Sequence, residues 1–163
     1  MTRLIRLAAE LQSLLDSESW KNCLIGGIVL QRWGEPRLTK DVDMTVLTGF
    51  DGEEQVVDLL LSRFAGRRPD TREFALLNQV LLIQSADGIG IDVALGALPF
   101  EERKKERASS FDFLCDCRLR TCSAEDFVVM KAFANRERDW LDVETVLIRQ
   151  GGRLEWKQIM AEL

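Results

Sequence analysis

The sequence contains no histidine, three prolines and four cysteines, and it has no apolar run near the length needed to cross a bilayer. Without histidine, a zinc site would have to be built from thiolates. Cys115, Cys117 and Cys122 cluster, but their Cys-x-Cys-x4-Cys spacing is not that of a usual zinc knuckle. Reduced thiols are the expected state for these and for Cys23. A membrane span would need ~20 consecutive apolar residues, which are lacking. The opening Met1-Thr2-Arg3-Leu4-Ile5-Arg6 begins an amphipathic helix and does not read as a signal peptide. A cytoplasmic protein with no membrane partner is expected. Basic charge is also in deficit. The net charge is −5, which excludes a broad basic face for nucleic acid but not a local groove.

What is present suits a packed domain. Hydrophobic residues are 46% of the 163 and charged residues 30%, so a core is available and disorder is not expected. Leu4, Ile5, Leu7, Ala8, Leu11, Leu14 and Leu15 recur at helical spacing, predicting a helix over 3–16. Cys23 to Ile25 reads as a short buried strand leading to Gly26-Gly27 and a helix over 28–33. Asp41 to Leu47 alternates, with Val42, Met44 and Val46 on one face and Asp41, Asp43 and Thr45 on the other.

A helix is expected over 53–64, then strands over 78–84 and 90–95 joined at Asp87-Gly88. Pro99 opens a helix to Arg107, whose alternating charges read as a solvated face, and a last strand is expected over 114–120. Ser123-Ala124-Glu125-Asp126 has the capping-box form. Helices over 139–150 and 154–163 complete the chain. The predicted fold is α/β (α+β): a mixed sheet flanked by helices, with residues 1–120 as core and 121–163 as a C-terminal helical tail packed on it, one compact unit.

Two carboxylates two residues apart on a strand leave the same face. Asp41 and Asp43 would repel one another there and resist desolvation, unless a divalent cation joined them. Asp92 lies in Gly88-Ile89-Gly90-Ile91-Asp92-Val93-Ala94-Leu95, an otherwise apolar strand where a lone carboxylate is costly. If the two strands are neighbours, three hard oxygen donors converge. That set suits Mg2+, with Mn2+ as the alternative, and two such ions ~3.5–4 Å apart could serve phosphoryl transfer. Gly26-Gly27, between strand and helix, lets backbone N–H groups approach a phosphate.

The run from Gly26-Gly27 to Arg37-Leu38-Thr39-Lys40-Asp41-Val42-Asp43 resembles the signature of the polymerase-beta-like nucleotidyltransferases. It is most similar to the AbiEii/AbiGii toxin family in a short form. Ile91-Asp92-Val93, Glu125-Asp126-Phe127-Val128-Val129-Met130-Lys131 and Arg138-Asp139-Trp140-Leu141-Asp142 resemble later segments of that family in order. The resemblance implies that Asp41, Asp43 and Asp92 hold the metal and are catalytic, with Asp92 the base. It implies that Gly26, Gly27, Arg37, Thr39, Lys131 and Asp139 bind the nucleotide, with Asp142 the runner-up to Asp139. The implied activity is NMP transfer from an NTP to a hydroxyl on an RNA end or a protein side chain, in a toxin–antitoxin or phage-defence setting with a cognate antitoxin as partner. Two alternatives stand beside it: a nucleotide-binding regulatory module with little catalysis, and a small-molecule nucleotidyltransferase of the antibiotic-modifying kind. Trp33 and Trp140 are expected in the core.

Overall fold

The structure is a computed structural model describing residues 1–163. Helix α1 (Thr2–Ser17) buries Leu4, Ile5, Leu7, Ala8, Leu11 and Leu15, the stripe its spacing predicts. Strand β1 (Asn22–Ile25) passes directly into α2 (Gly26–Trp33), which starts two residues before the expected position. Strand β2 (Asp41–Leu47) has its predicted bounds, with Val42, Met44 and Val46 wholly buried. Helix α3 (Glu53–Leu61) follows.

Next comes a segment that apolar periodicity does not reveal: β3 (Ala65–Gly66) and α4 (Thr71–Asn78). Only Thr71 and Ala75 of α4 are buried and Leu77 is exposed, so the helix carries no apolar stripe. Strands β4 (Val80–Gln84) and β5 (Gly90–Gly96) form the expected hairpin, with Gly88 in the left-handed region at φ +76°.

Helix α5 (Pro99–Arg107) leads to β6 (Ser109–Leu114) and β7 (Cys117–Thr121). The single strand expected over 114–120 is therefore the second arm of a hairpin. Its turn at Cys115-Asp116 has none of the glycine, asparagine or proline that marks such turns in sequence. Helix α6 (Ala124–Ala134) is capped as predicted, Ser123 Oγ accepting the Asp126 N–H at 3.1 Å. Helices α7 (Glu137–Gln150) and α8 (Trp156–Glu162) end the chain. No helix is long and apolar enough to cross a membrane, and all four cysteines are free thiols.

The seven strands form one mixed sheet in the order β3-β4-β5-β2-β1-β7-β6. The pairs β2–β5 and β1–β7 are parallel and the others antiparallel. Thirty-four buried apolar side chains from the sheet and most of its helices make a single core cluster. This is the predicted α/β class, a mixed sheet with C-terminal helices.

Helix α5 departs from its reading as a solvated face. Lys104 is buried, its Nζ donating to Thr45 Oγ1 at 2.9 Å and lying 5.4 Å from the centre of the Phe100 ring. Arg107 Nε bonds both oxygens of the wholly buried Asp126 at 3.1 Å. Both residues pin α5 between the sheet and α6, which alternation of charge cannot reveal.

A buried carboxylate stripped of its cation is costly, whereas an ion pair with one exposed partner contributes little. Arg107→Ala is therefore expected to lower stability by about 3–5 kcal/mol in urea denaturation. Arg103→Ala, which removes a half-exposed partner of Glu162, is expected to cost far less. Equal losses would show that Asp126 has no special dependence on Arg107.

Candidate active site

Parallel pairing of β2 with β5 sets Asp43 opposite Asp92 and Asp41 opposite Gly90. The three carboxylates thus share one face of the sheet, as the strand patterns predicted. Asp43 is the most confined. Burial, then the negative charge of Asp92, pushes its carboxyl up to about 6, against a weak 3.4 Å hydrogen bond from the Gly27 N–H. Asp92 is also raised, by burial first, with the charge of Asp41 opposed by the Arg67 guanidinium that pairs with it.

The two glycines make room for this arrangement. Gly26 sits at φ +67°, and a Cβ there would lie 2.1 Å from Asp43 Oδ2. A Cβ on Gly27 would lie 2.4 Å from Thr39 Oγ1. Any side chain at either position would displace the residues that the motif brings in. Thr39 donates to the Asp41 carbonyl at 3.4 Å, a contact within the turn before β2.

Positive charge stands across the cavity. Lys131 Nζ donates to Asp139 Oδ1 at 2.7 Å and lies 2.8 Å from Asp142 Oδ2. Arg37 holds Asp142 through two bonds, Nε–Oδ1 at 2.7 Å and Nη2–Oδ2 at 2.8 Å. Arg136 Nε donates to Asp139 Oδ2 at 2.6 Å. Burial alone would raise Asp139, but hydrogen bonds from Arg136 and Lys131 outweigh it and hold the carboxyl down at about 2. Both helix aspartates therefore engage Lys131. Three cations and two carboxylates leave one net positive charge on this wall.

Between the two walls lies a cavity of about 310 Å³, lined by Gly26, Gly27, Arg37, Thr39, Asp41, Asp43, Lys131 and Arg136, with Phe127 and Met130. Seven of the nine residues singled out by sequence line it. Asp139 stands behind Lys131, and Asp92 lies beyond Asp43 on β5, paired with Arg67. An apolar groove of about 640 Å³, with Leu98, Phe100 and Phe133 on its walls, shares Met130 with the cavity.

Residues that sequence reasoning passed over are also here. Arg136 immediately precedes α7 and its only sequence signal is its place three residues before Asp139. Arg67 and Lys104 carry no motif at all. Trp140, expected in the core, is half exposed, its Nε1 donating to Asn135 Oδ1. Trp33 is partly buried and packs on the core as expected.

As the side chains stand, no three carboxylates or thiols converge closely enough to hold one ion. Their placement and chemistry nevertheless suit a hard dication: aspartates only, on one face, with Asp43 raised by burial and by a repulsion that such an ion would relieve.

No family model matches the sequence, and no curated protein compared with it matches either. Solved structures do. The antibiotic-resistance factor ANT(2″)-Ia, in complex with adenylyl-2″-tobramycin, is 14% identical with a TM-score of 0.61 over 99% of this chain and 97% of that one. An antigenic nucleotidyltransferase-like protein from Paracoccidioides brasiliensis is 14% identical, with a TM-score of 0.59 over 97% and 85%. The lincosamide antibiotic adenylyltransferase LnuA, lincomycin-bound, is 12% identical, with a TM-score of 0.55 over 84% and 92%. The fold is nucleotidyltransferase-like. Within this nucleotidyltransferase-like fold the carboxylate row and the cationic wall face one cavity.

The raised carboxyl of Asp43 has a consequence for stability. A folded-state value above the ordinary ~3.9 means that the folded chain binds a proton the unfolded chain has lost, so stability falls as pH rises from ~4 through about 6. In EDTA, Asp43→Asn should exceed the parent chain in stability by roughly 1–3 kcal/mol at pH 7.5, with the difference closing below pH 4. Denaturation curves with a pH-independent gap would refute the assignment.

Proposed function

We propose that the protein is a Mg2+-dependent nucleotidyltransferase, Mn2+ serving as a substitute, that moves NMP from an NTP to a hydroxyl group of a small-molecule acceptor. The observation that carries this reading is the opposition of Asp41 and Asp43 to Arg37, Lys131 and Arg136 across one cavity. A triphosphate carrying a divalent cation has the charges to bridge those walls. In this reading Arg37, Lys131 and Arg136 hold its oxygens, and the N–H groups of Gly26 and Gly27 approach it as α2 begins. Thr39 keeps Gly27 and the loop before β2 in place. Asp139 and Asp142 orient Lys131.

Asp41, Asp43 and Asp92 would hold the metal, which supplies Lewis-acid activation and charge neutralisation when bound. Asp92 takes the proton of the acceptor hydroxyl. The hydroxyl oxygen bonds to the α-phosphorus as the bond to the bridging oxygen breaks, and pyrophosphate leaves. Residues 1–120 would be the catalytic core and 121–163 the helical segment that closes it.

Support for a small acceptor comes from two of the similar structures, an antibiotic-resistance factor bound to adenylyl-2″-tobramycin and a lincosamide antibiotic adenylyltransferase. The apolar groove that meets the cavity at Met130 offers room for such an acceptor. The Arg37-x-Thr39-x-Asp41-x-Asp43 run favours a second reading, an RNA end or protein hydroxyl as acceptor, as in AbiEii-type toxins. That reading, with its toxin–antitoxin setting and cognate antitoxin, rests on sequence resemblance alone.

Incubation with α-labelled NTPs, Mg2+ and three acceptor pools (hydroxylated antibiotics, total RNA, whole protein) separates these possibilities. Label is expected in the first pool. Asp41→Asn and Asp43→Asn should each reduce transfer by about 10²-fold or more with the fold intact, and Lys131→Ala should weaken NTP binding about 10–100-fold. Bound NTP with no transfer to any pool would make the protein a nucleotide-binding regulatory module instead.

A further inference from the structure

Arg67 belongs to none of the motifs, yet its guanidinium lies on the carboxylate row. The sheet register puts it there. Arg67 continues the pairing of β3 with β4, its N–H donating to the Leu82 carbonyl at 3.0 Å. Leu82 stands opposite Asp92, and Asp92 opposite Asp43. Side chains at paired positions share a face, so Arg67, Leu82, Asp92 and Asp43 form one row across four strands. The arginine side chain crosses over Leu82 and its Nη2 pairs with Asp92 Oδ1.

The second observation is at Gly90, the position opposite Asp41. A Cβ built there would lie 2.4 Å from Asp41 Oδ1 and 3.0 Å from Arg67 Nη1. Both groups therefore border the space above a residue with no side chain, on the side of Asp92 that faces Asp41. Arg67 lies at the surface, but its side chain is laid down along the sheet, with 28% of it exposed.

We propose that Arg67 is a resident counter-cation of the carboxylate row, which a divalent ion must displace from Asp92 in order to bind. The inference rests on the metal-site reading above. One Asp92 oxygen, Oδ1, is taken up by a guanidinium N–H, and two cations in the same carboxylate cluster repel one another. Metal binding therefore releases Arg67 toward the open β3 side of the sheet. In the metal-free chain Arg67 keeps Asp92 from facing Asp41 and Asp43 uncompensated.

Mn2+ affinity, read from the EPR signal of the free ion, tests this on the full chain. Arg67→Ala and Arg67→Gln are both expected to bind Mn2+ about tenfold more tightly than the parent. Their metal-free thermal midpoints should fall while the Mn2+-saturated midpoints change less. Circular dichroism checks the fold, and Arg67→Gln, the closer match in shape, decides if the alanine variant does not fold. Unchanged or weaker Mn2+ binding in a folded variant, with the parent binding normally, would overturn the displacement of Arg67 alone. Absence of Mn2+ binding in parent and variants would overturn the metal site and the proposal together.

Discussion

Parallel pairing of β2 with β5 places Asp43 against Asp92, with Asp41 two residues along the same face. Carboxylates brought together at the edge of a core repel one another and lose hydration, and much of the surrounding structure answers that load. On one side, Arg67 reaches across β4 to Asp92. On the other, α6 and α7 bring Lys131 and Arg136 to the cavity, and the loop before β2 brings Arg37. None of these cations is loose. Arg37, Lys131 and Arg136 are each tied to Asp139 or Asp142, so the wall keeps a fixed shape while retaining a net positive charge.

The same constraint accounts for the backbone at Gly26-Gly27. Asp43 and Thr39 occupy the space that two Cβ atoms would fill, so the strand-to-helix passage and the strand that carries the carboxylates are packed as one piece. Farther along β2, Thr45 shares the face of Asp41 and Asp43 but is buried under Lys104 of α5. The face is thus open where the carboxylates lie and sealed two residues later. That boundary confines the polar chemistry to the N-terminal half of β2.

Much of this was legible in the chain. Alternation along 41–47 gave β2 its bounds, and the cost of a carboxylate in an apolar strand drew attention to Asp92 before its neighbour was known. The capped helix carrying Lys131 was equally plain. Elements without periodicity were not: α4 buries only two residues, β3 has two residues in all, and the β6–β7 turn lacks glycine, asparagine and proline. Arg67, Arg136 and Lys104 were missed because a charged residue in a charged sequence looks the same whether it meets solvent or a buried partner.

Sequence by itself determined the mixed α/β class, the pairing of Asp41 with Asp43 on one face, the glycine passage, and the approximate set of residues around the cavity. The first three follow from short-range rules, since side chains alternate along a strand and recur along a helix whatever lies next to them; the residues around the cavity follow from the resemblance to a known family. Tertiary structure alone decided that Asp92 stands opposite Asp43, that both Asp139 and Asp142 grip Lys131, and that Arg67 spans a strand to reach the row. Those facts depend on strand order, register and helix docking. They arise from contacts between different elements, from Lys131 with Asp139 on successive helices to Asp43 with Asp92 on paired strands, which no pattern within one element encodes.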